Sequence, residues 1–179
     1  DGPANTSFDA PPSQLVPLGR LSWAGIVMDH DTPSQVEGAA AFRLGQGFFN
    51  PDSRPARDFG VLLVRTLAQR RPPRVLDLMA GCGLRSLRYG LEGGARSLWA
   101  NDADSRRLPA LEANLAVLKD RCLLRQTALP AQGLLADCLQ RRERFDLVDL
   151  DAFGSPHALI PLALEAVALD GVLYLASTD

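Results

Sequence analysis

The segment FDLVDLDAFGSP, residues 145–156, sets the frame for the rest of the chain. Its apolar run from Phe145 to Leu150 reads as a short buried strand ending in Asp151. Ala152, Phe153, Gly154, Ser155 and Pro156 follow at once as a loop. A carboxylate therefore stands at the C-terminal tip of a buried strand, with an aromatic ring two residues on. Open α/β sheets bind ligands just outside the carboxyl ends of their strands. An acid and a flat ring at such a tip suit a site that grips a planar heterocycle and handles a proton on it. For an isolated Asp-x-Phe-Gly the competing reading is a solvated acid capping the next helix, so the flanking pattern decides.

That pattern is strand–helix alternation. Strands are expected at RVLDLMA (74–80), SLWAND (97–102), CLLRQT (122–127), 145–151 and GVLYLAST (171–178). Between them lie a short helix in 83–94 closed by glycines, a helix from Ser105 to Leu118, loop plus helix over 129–142, and a helix over 156–168. In the second of these, Leu108, Leu111, Leu115 and Leu118 share a face and Ser105 is the expected N-cap. Upstream, Pro55 to Arg70 reads as a helix with Phe59, Leu62, Leu63 and Leu67 at helical spacing, stopped by Pro72-Pro73. Five alternating strands imply an α/β fold: a doubly wound, Rossmann-like, mostly parallel sheet of order 3-2-1-4-5. Its switch point, between the strands at 74–80 and 145–151, sets Asp77 to Gly83 opposite Asp151.

Residues 1–20, rich in Pro, Gly, Ser and Asn, read as a leader or linker, and 21–179 as one catalytic domain with a small N-terminal extension. One or two short strands are expected in 21–50, from Ile26-Val27-Met28 and Ala39 to Phe42, ending at GQGFFNP (45–51). Phe48 and Phe49 are neighbours there and should face opposite sides.

Composition bounds the function. At 179 residues and 46% hydrophobic, the chain can bury a core. No apolar run approaches the ~20 residues needed to cross a bilayer, and no secretory signal pattern opens the sequence. The missing initiator Met suggests a piece cut from a longer protein. Net charge of -2 does not mark an autonomous nucleic-acid binder. Cys82, Cys122 and Cys138 are scattered, and His30 and His157 are remote from each other, so no metal site is expected. Free thiols fit the cytoplasm or another reducing compartment.

The loop after the first strand, DLMAGCGLRS (77–86), points to a cofactor. Gly81 and Gly83 let the backbone turn and approach a ligand closely. A dinucleotide G-x-G-x-x-G needs a third glycine where Ser86 stands. Asp77 followed by G-x-G is instead the form of S-adenosylmethionine sites; an NAD-type or ligand-free Rossmann domain is the alternative. The second strand ends in Asn101-Asp102, and Asp102, 21 residues after Gly81, is placed to accept ribose hydroxyls. The third strand's tip should supply an adenine pocket, at Thr127-Ala128 if that strand ends there, with Asp137 as the rival.

With these pieces in place the sequence resembles the tRNA guanine-N2 dimethyltransferases, a family of S-adenosylmethionine-dependent class I methyltransferases. The resemblance runs from about Glu37 to Asp179. It is carried, in order, by Glu37-Gly38, FFNP (48–51), Arg57-Asp58, GLRSLRY (83–89), AND-x-D (100–104), VDLD followed by FGSP (148–156), and STD (177–179). It implies methyl transfer from S-adenosylmethionine to the exocyclic N2 of a guanosine at the junction of the tRNA D-arm and anticodon stem. It further implies Arg57 and Arg85 as ligands of the donor's carboxylate end, Asp102 as the ribose ligand and Ala128 at the adenine pocket. Asp151 would be the active-site acid and Phe153 a wall for the base. Phe48, Phe49 and Asn50 would sit at the substrate rim.

The chemistry agrees. A guanine N2 lone pair is delocalised into the ring and is a poor nucleophile. A carboxylate accepting an N–H hydrogen bond localises that pair and takes up developing positive charge. The match departs at Ala152, where the family has proline: a fixed φ is lost and an N–H gained. The chain also stops just past the fifth strand. The resemblance therefore implies a sheet truncated before two further strands, with the family's C-terminal tRNA-binding domain absent.

Overall fold

The computed structural model describes residues 34–178. The leader at 1–20 and the strand expected at Ile26-Val27-Met28 lie outside the described residues. A hairpin comes first: β1 (Gln35–Glu37) pairs antiparallel with β2 (Ala40–Phe42). Then follow α1 (Arg54–Ala68), β3 (Arg74–Asp77), α2 (Leu84–Arg88) with a π turn at Tyr89–Gly93, β4 (Ser97–Asn101), α3 (Leu108–Leu115), β5 (Leu123–Thr127), α4 (Ala131–Gln140), β6 (Phe145–Phe153), α5 (Ile160–Ala166) and β7 (Val167–Thr178).

The main sheet is parallel, in the order β5-β4-β3-β6-β7. The order 3-2-1-4-5 expected from sequence is thus numbered differently: two hairpin strands that form their own sheet precede it in the chain. From β3 the chain steps outward to β4 and β5, then returns to β6 on the other side. The switch point lies between β3 and β6.

Alternation along the strands divides the core into two layers. Val75, Leu98, Ala100 and Leu147 face α1, α2 and α3. Leu76, Trp99, Val148 and Leu150 face α4 and α5. This is the continuous hydrophobic reading of strands covered on both faces. It also aims Asp77, Asp149 and Asp151 at the α1–α2 side, since side chains two apart on a strand share a face.

Three expectations shift. The buried face of α1 is Arg57, Gly60, Val61 and Val64, whereas Phe59 and Leu62 are each 54% exposed. Gly60 decides this phase: a Cβ there would stand 2.4 Å from the Tyr89 hydroxyl, so the helix approaches along its glycine side. The cap before α3 is Asp104, which accepts from Arg106 N at 3.1 Å, and Ser105 opens the 3-10 turn behind it. The last helix is shorter than 156–168, and β7 begins at Val167 through an irregular register with Phe145 and Leu147.

Candidate functional site

β3 ends at Asp77, and the chain must then turn over the ends of its neighbours. Ala80 N donates to Asn101 O at 2.8 Å and Gly83 N to Ala80 O at 2.7 Å. Gly81 (φ +58°) donates its N–H to Asp102 Oδ2 at 2.9 Å. The loop is thereby pinned across the tip of β4. A cleft opens over it, walled by Met79 to Cys82 and Arg85 on one side and Asp151 to Phe153 on the other. Phe48 to Asn50, Arg57 and Arg107 form its rim.

The two glycines differ. A Cβ on Gly81 would meet nothing within 4 Å, so its place is open cleft. Gly83 (φ +85°) does not line the cleft, contrary to the sequence reading. A Cβ there would stand 2.6 Å from Leu111 Cδ1, so this glycine lets α2 start against α3. Gly83→Ala combines a left-handed backbone with overpacking and is expected to cost about 2–4 kcal/mol. Gly81→Ala carries the strain alone, about 1 kcal/mol. Denaturant titration of the two variants checks the ranking.

The acid expected at the strand tip is where the sequence put it, although β6 runs on through Phe153. Asp151 is half-buried; its Oδ2 accepts from Arg85 Nε at 3.0 Å and lies 2.9 Å from Nη2 in an ion pair. Arg85 itself is buried, with Nη1 3.7 Å from Asp149 Oδ2. Burial alone would weaken its hold on the proton, but the carboxylates of Asp149 and Asp151 outweigh that and keep it charged. Its Nη1 has no hydrogen-bond partner among the described residues.

Beneath the cleft, Asp77 and Asp149 sit side by side in register on β3 and β6, both almost fully buried. Asp77 accepts from Ser86 Oγ at 2.7 Å and Asp149 from Tyr89 Oη at 2.5 Å. Burial raises both carboxyls, and Asp77 is raised further by Asp149 beside it. At Asp149 the Arg85 guanidinium and the Tyr89 hydroxyl oppose that rise, so of the two Asp77 is held the higher. Asp77 does not line the cleft. Its part is under the floor rather than the direct ligation expected.

Arg57 lines the cleft but is already engaged. Nε and Nη2 grip Glu37 at 2.8 and 2.5 Å, and Nη2 also reaches Asn50 O at 3.1 Å. Glu37 is shared with Arg88, whose Nη1 lies 2.8 Å away. Burial works to raise Glu37, but the two guanidiniums win and hold it below the usual carboxylate range. Asp102 is likewise occupied: it accepts from Gly81 N, from Asp104 N at 2.9 Å and from Arg107 Nη1 at 3.1 Å. Arg107, not Asp102, lines the cleft. Ala128 follows the end of β5 and lies outside the cleft wall, as does Asp137 on α4, which pairs with Arg141 just past that helix.

The aromatics sort as neighbours on an extended segment must. Phe49 packs edge-on to Phe42, with ring centroids 5.3 Å apart, and lies under Arg57. Phe48 is 65% exposed and meets the 71% exposed Phe153 edge-on at 5.5 Å across the cleft mouth. Asn50 caps a 3-10 turn by accepting from Asp52 N at 2.9 Å.

Sequence reading had passed over Arg107, Tyr89 and Asp149. Two left a signal: the spacing D-L-D at 149–151 puts two acids on one strand face, and Tyr89 closes GLRSLRY four residues after Arg85. Among the described residues no group of three His, Cys, Asp or Glu could hold a metal ion, and no helix is long and apolar enough to cross a membrane.

The family described as N2,N2-dimethylguanosine tRNA methyltransferase matches residues 33–179. The tRNA (guanine(26)-N(2))-dimethyltransferase of Thermococcus kodakarensis is 34% identical over 146 residues, covering 74% of this chain and 37% of that protein. The human protein of the same name is 37% identical over 106 residues, covering 59% of this chain and 16% of that protein. In structure, Trm1 from Pyrococcus horikoshii with S-adenosyl-L-methionine matches with TM-score 0.66 at 25% identity, over 79% of this chain and 41% of that one. A SAM-dependent methyltransferase from Agrobacterium tumefaciens shares the fold with TM-score 0.67 at 17% identity. The chain therefore spans well under half the length of the two tRNA dimethyltransferases that it matches. With GLRSLRY on α2, VDLD on β6 and the glycine loop between β3 and α2 all converging on one cleft, this chain belongs to the N2,N2-dimethylguanosine tRNA methyltransferase family.

Proposed function

We propose that the cleft transfers methyl groups from S-adenosylmethionine to the exocyclic N2 of a guanosine in tRNA, at the position-26 guanosine named for the relatives. The observation that carries this reading is Asp151. It is a half-exposed carboxylate held by a buried arginine, beside an open glycine loop and beneath two exposed rings. The donor set fits the methyl donor. Arg85 brings a guanidinium to the cleft wall, and Gly81 leaves open space beside it. S-adenosylmethionine, when bound, supplies an electrophilic methyl group.

The chain's own residues do the rest. Arg85 and Arg57 would hold a carboxylate, Gly81 would admit the donor against the backbone, and Asp102 would take ribose hydroxyls once Arg107 leaves it. Ala128 is assigned to the adenine side. Asp151 accepts a hydrogen bond from the N2 amine and takes the proton that amine loses as its nitrogen–carbon bond forms. Phe153 and Phe48 fix the plane of the base. A guanosine in a helical junction must be extruded to reach them. The catalytic unit is assigned to residues 21–179, with tRNA as the macromolecular partner.

Radiolabelled methyl transfer to bulk tRNA, with DNA and protein as competing acceptors, tests the reading, as does nucleoside mass spectrometry of tRNA from cells lacking the gene. Label in DNA or protein alone would overturn it. Phe153→Ala and Phe48→Ala each remove a ring worth roughly 1–3 kcal/mol of stacking. Each is expected to raise KM for tRNA by about 5–150-fold with donor affinity unchanged; steady-state kinetics and calorimetry read the two separately.

A further inference from the structure

Behind Asp151 stands a buried column of side chains with no direct part in the reaction just described. Tyr89 lies four residues after Arg85, on the same helical face. It is fully buried and donates its Oη to Asp149 Oδ2 at 2.5 Å. Asp149 faces Arg85 Nη1 at 3.7 Å, and the opposite edge of that guanidinium holds Asp151. α1 and β7 pack against its buried end. From α1, Gly60 leaves no space at the Tyr89 hydroxyl. From β7, Tyr174 is in register with Asp149, its ring 5.4 Å from the Arg85 guanidinium and its Oη donating to Ala56 O at 2.8 Å.

We propose that Tyr89 and Asp149 are positioning residues for the active-site acid: Tyr89 anchors Asp149, Asp149 anchors Arg85, and Arg85 orients Asp151 toward the base. The proposal deepens the methyl-transfer reading and rests on it.

The physical reason is the cost of a buried charge. An arginine under the cleft floor stays fixed only while it has a buried counterion, and a fully buried carboxylate stays ionised only with donors and a cation around it. The groups facing Asp149 are Asp77 from β3, Arg85 and Tyr89 from the α2 segment, Tyr174 from β7 and Asp151 on its own strand. Burial and Asp151 push the Asp149 carboxyl up, while Arg85 and Tyr89 oppose them. Tyr89 is held protonated by burial and by the Asp149 charge, so it acts only as a donor. Removing its hydroxyl lets Asp149 take a proton at higher pH. Neutral Asp149 no longer draws Arg85 inward, and Asp151 loses its fixed partner.

The experiment compares Tyr89→Phe with wild type in the natural full-length protein. It measures kcat and KM for tRNA across the acidic and neutral range, calorimetric affinity for S-adenosylhomocysteine, and Tm. In Tyr89→Phe the acidic limb of kcat is expected to move upward by roughly one pH unit, with kcat recovering at alkaline pH and KM for tRNA unchanged. Asp149→Asn, neutral at every pH, is expected to lose that limb and stay at the low acid-side rate throughout. A lowered Tm with an unmoved limb would show a merely structural role and overturn the proposal, as would a wild-type profile in Asp149→Asn. Absence of wild-type turnover on tRNA would instead remove the methyl-transfer reading, and this proposal with it.

Discussion

Asp151→Ala is expected to lower kcat for tRNA methylation by about 10²–10⁴-fold while donor affinity stays within a few-fold of wild type. The geometry separates the two effects. Asp151 is 41% exposed in its side chain, so truncating it leaves no buried hole. Arg85 keeps its second partner, Asp149, and its outer edge stays available to a donor carboxylate. What is lost is the acceptor for the amine proton. A half-exposed ion pair contributes at most about 1 kcal/mol to stability, so the fold is expected to persist. Single-turnover methylation alongside equilibrium dialysis of S-adenosylhomocysteine makes the comparison. Wild-type turnover in the variant would remove Asp151 from its assigned role.

Arg85→Leu is expected to do the opposite, striking stability first. It leaves Asp149 buried and charged with no cation beside it, and breaking a buried pair from one side costs about 3–5 kcal/mol. For a domain of this size that is a fall of roughly 10 °C in Tm. The sign with pH follows from Asp149. Without Arg85 its folded-state carboxyl is raised further above its unfolded value. The folded state then binds more protons than the unfolded one, and stability drops as pH rises past the unfolded carboxylate range. The gap between wild type and variant should therefore widen from acid to neutral pH. Removing both charges, as Arg85→Leu with Asp149→Leu, should recover part of the loss. Arg74→Ala, which removes one half of a partly exposed pair with Glu143, serves as the reference for a charge lost near the surface. A Tm for Arg85→Leu equal to that of Arg74→Ala would show that Asp149 does not depend on this guanidinium.

Much of the fold is legible in the sequence. Each parallel strand announced itself as a short apolar run, because a strand buried on both faces has no polar face to alternate with. Alternation with helices then left few topologies open. Helix phase was less legible. Phe59 and Leu62 lie on a helical stripe, yet the close approach that Gly60 permits turned a different stripe inward. Hydrophobicity marks a face only when the partner surface accepts it.

In the candidate site, residues whose part is local could be read from the chain. Asp151 stands near the C-terminal end of β6 because the apolar run before it ends there, and Gly81 turns because its backbone must. Residues whose part depends on a distant partner could not be read. Gly83 reads like Gly81 but makes room for Leu111. Arg57 reads as a ligand for the donor's carboxylate, and nothing nearby in the chain shows that it also grips Glu37, from a hairpin 20 residues earlier. Asp77 reads as a ligand but is sealed under the loop beside Asp149.

By itself the sequence determined the parallel α/β sheet, the glycine loop at its switch point and the acid that faces that loop. These follow from apolar periodicity, backbone freedom and side-chain alternation, all of which act within a few residues. Only the tertiary structure decided which charges are paired, which are neutral and which face the cleft. Those outcomes depend on burial and on partners brought together from β3, α2 and β6. A carboxylate's charge is set by its surroundings, and the surroundings of Asp77, Asp149 and Asp151 exist only once the sheet is assembled.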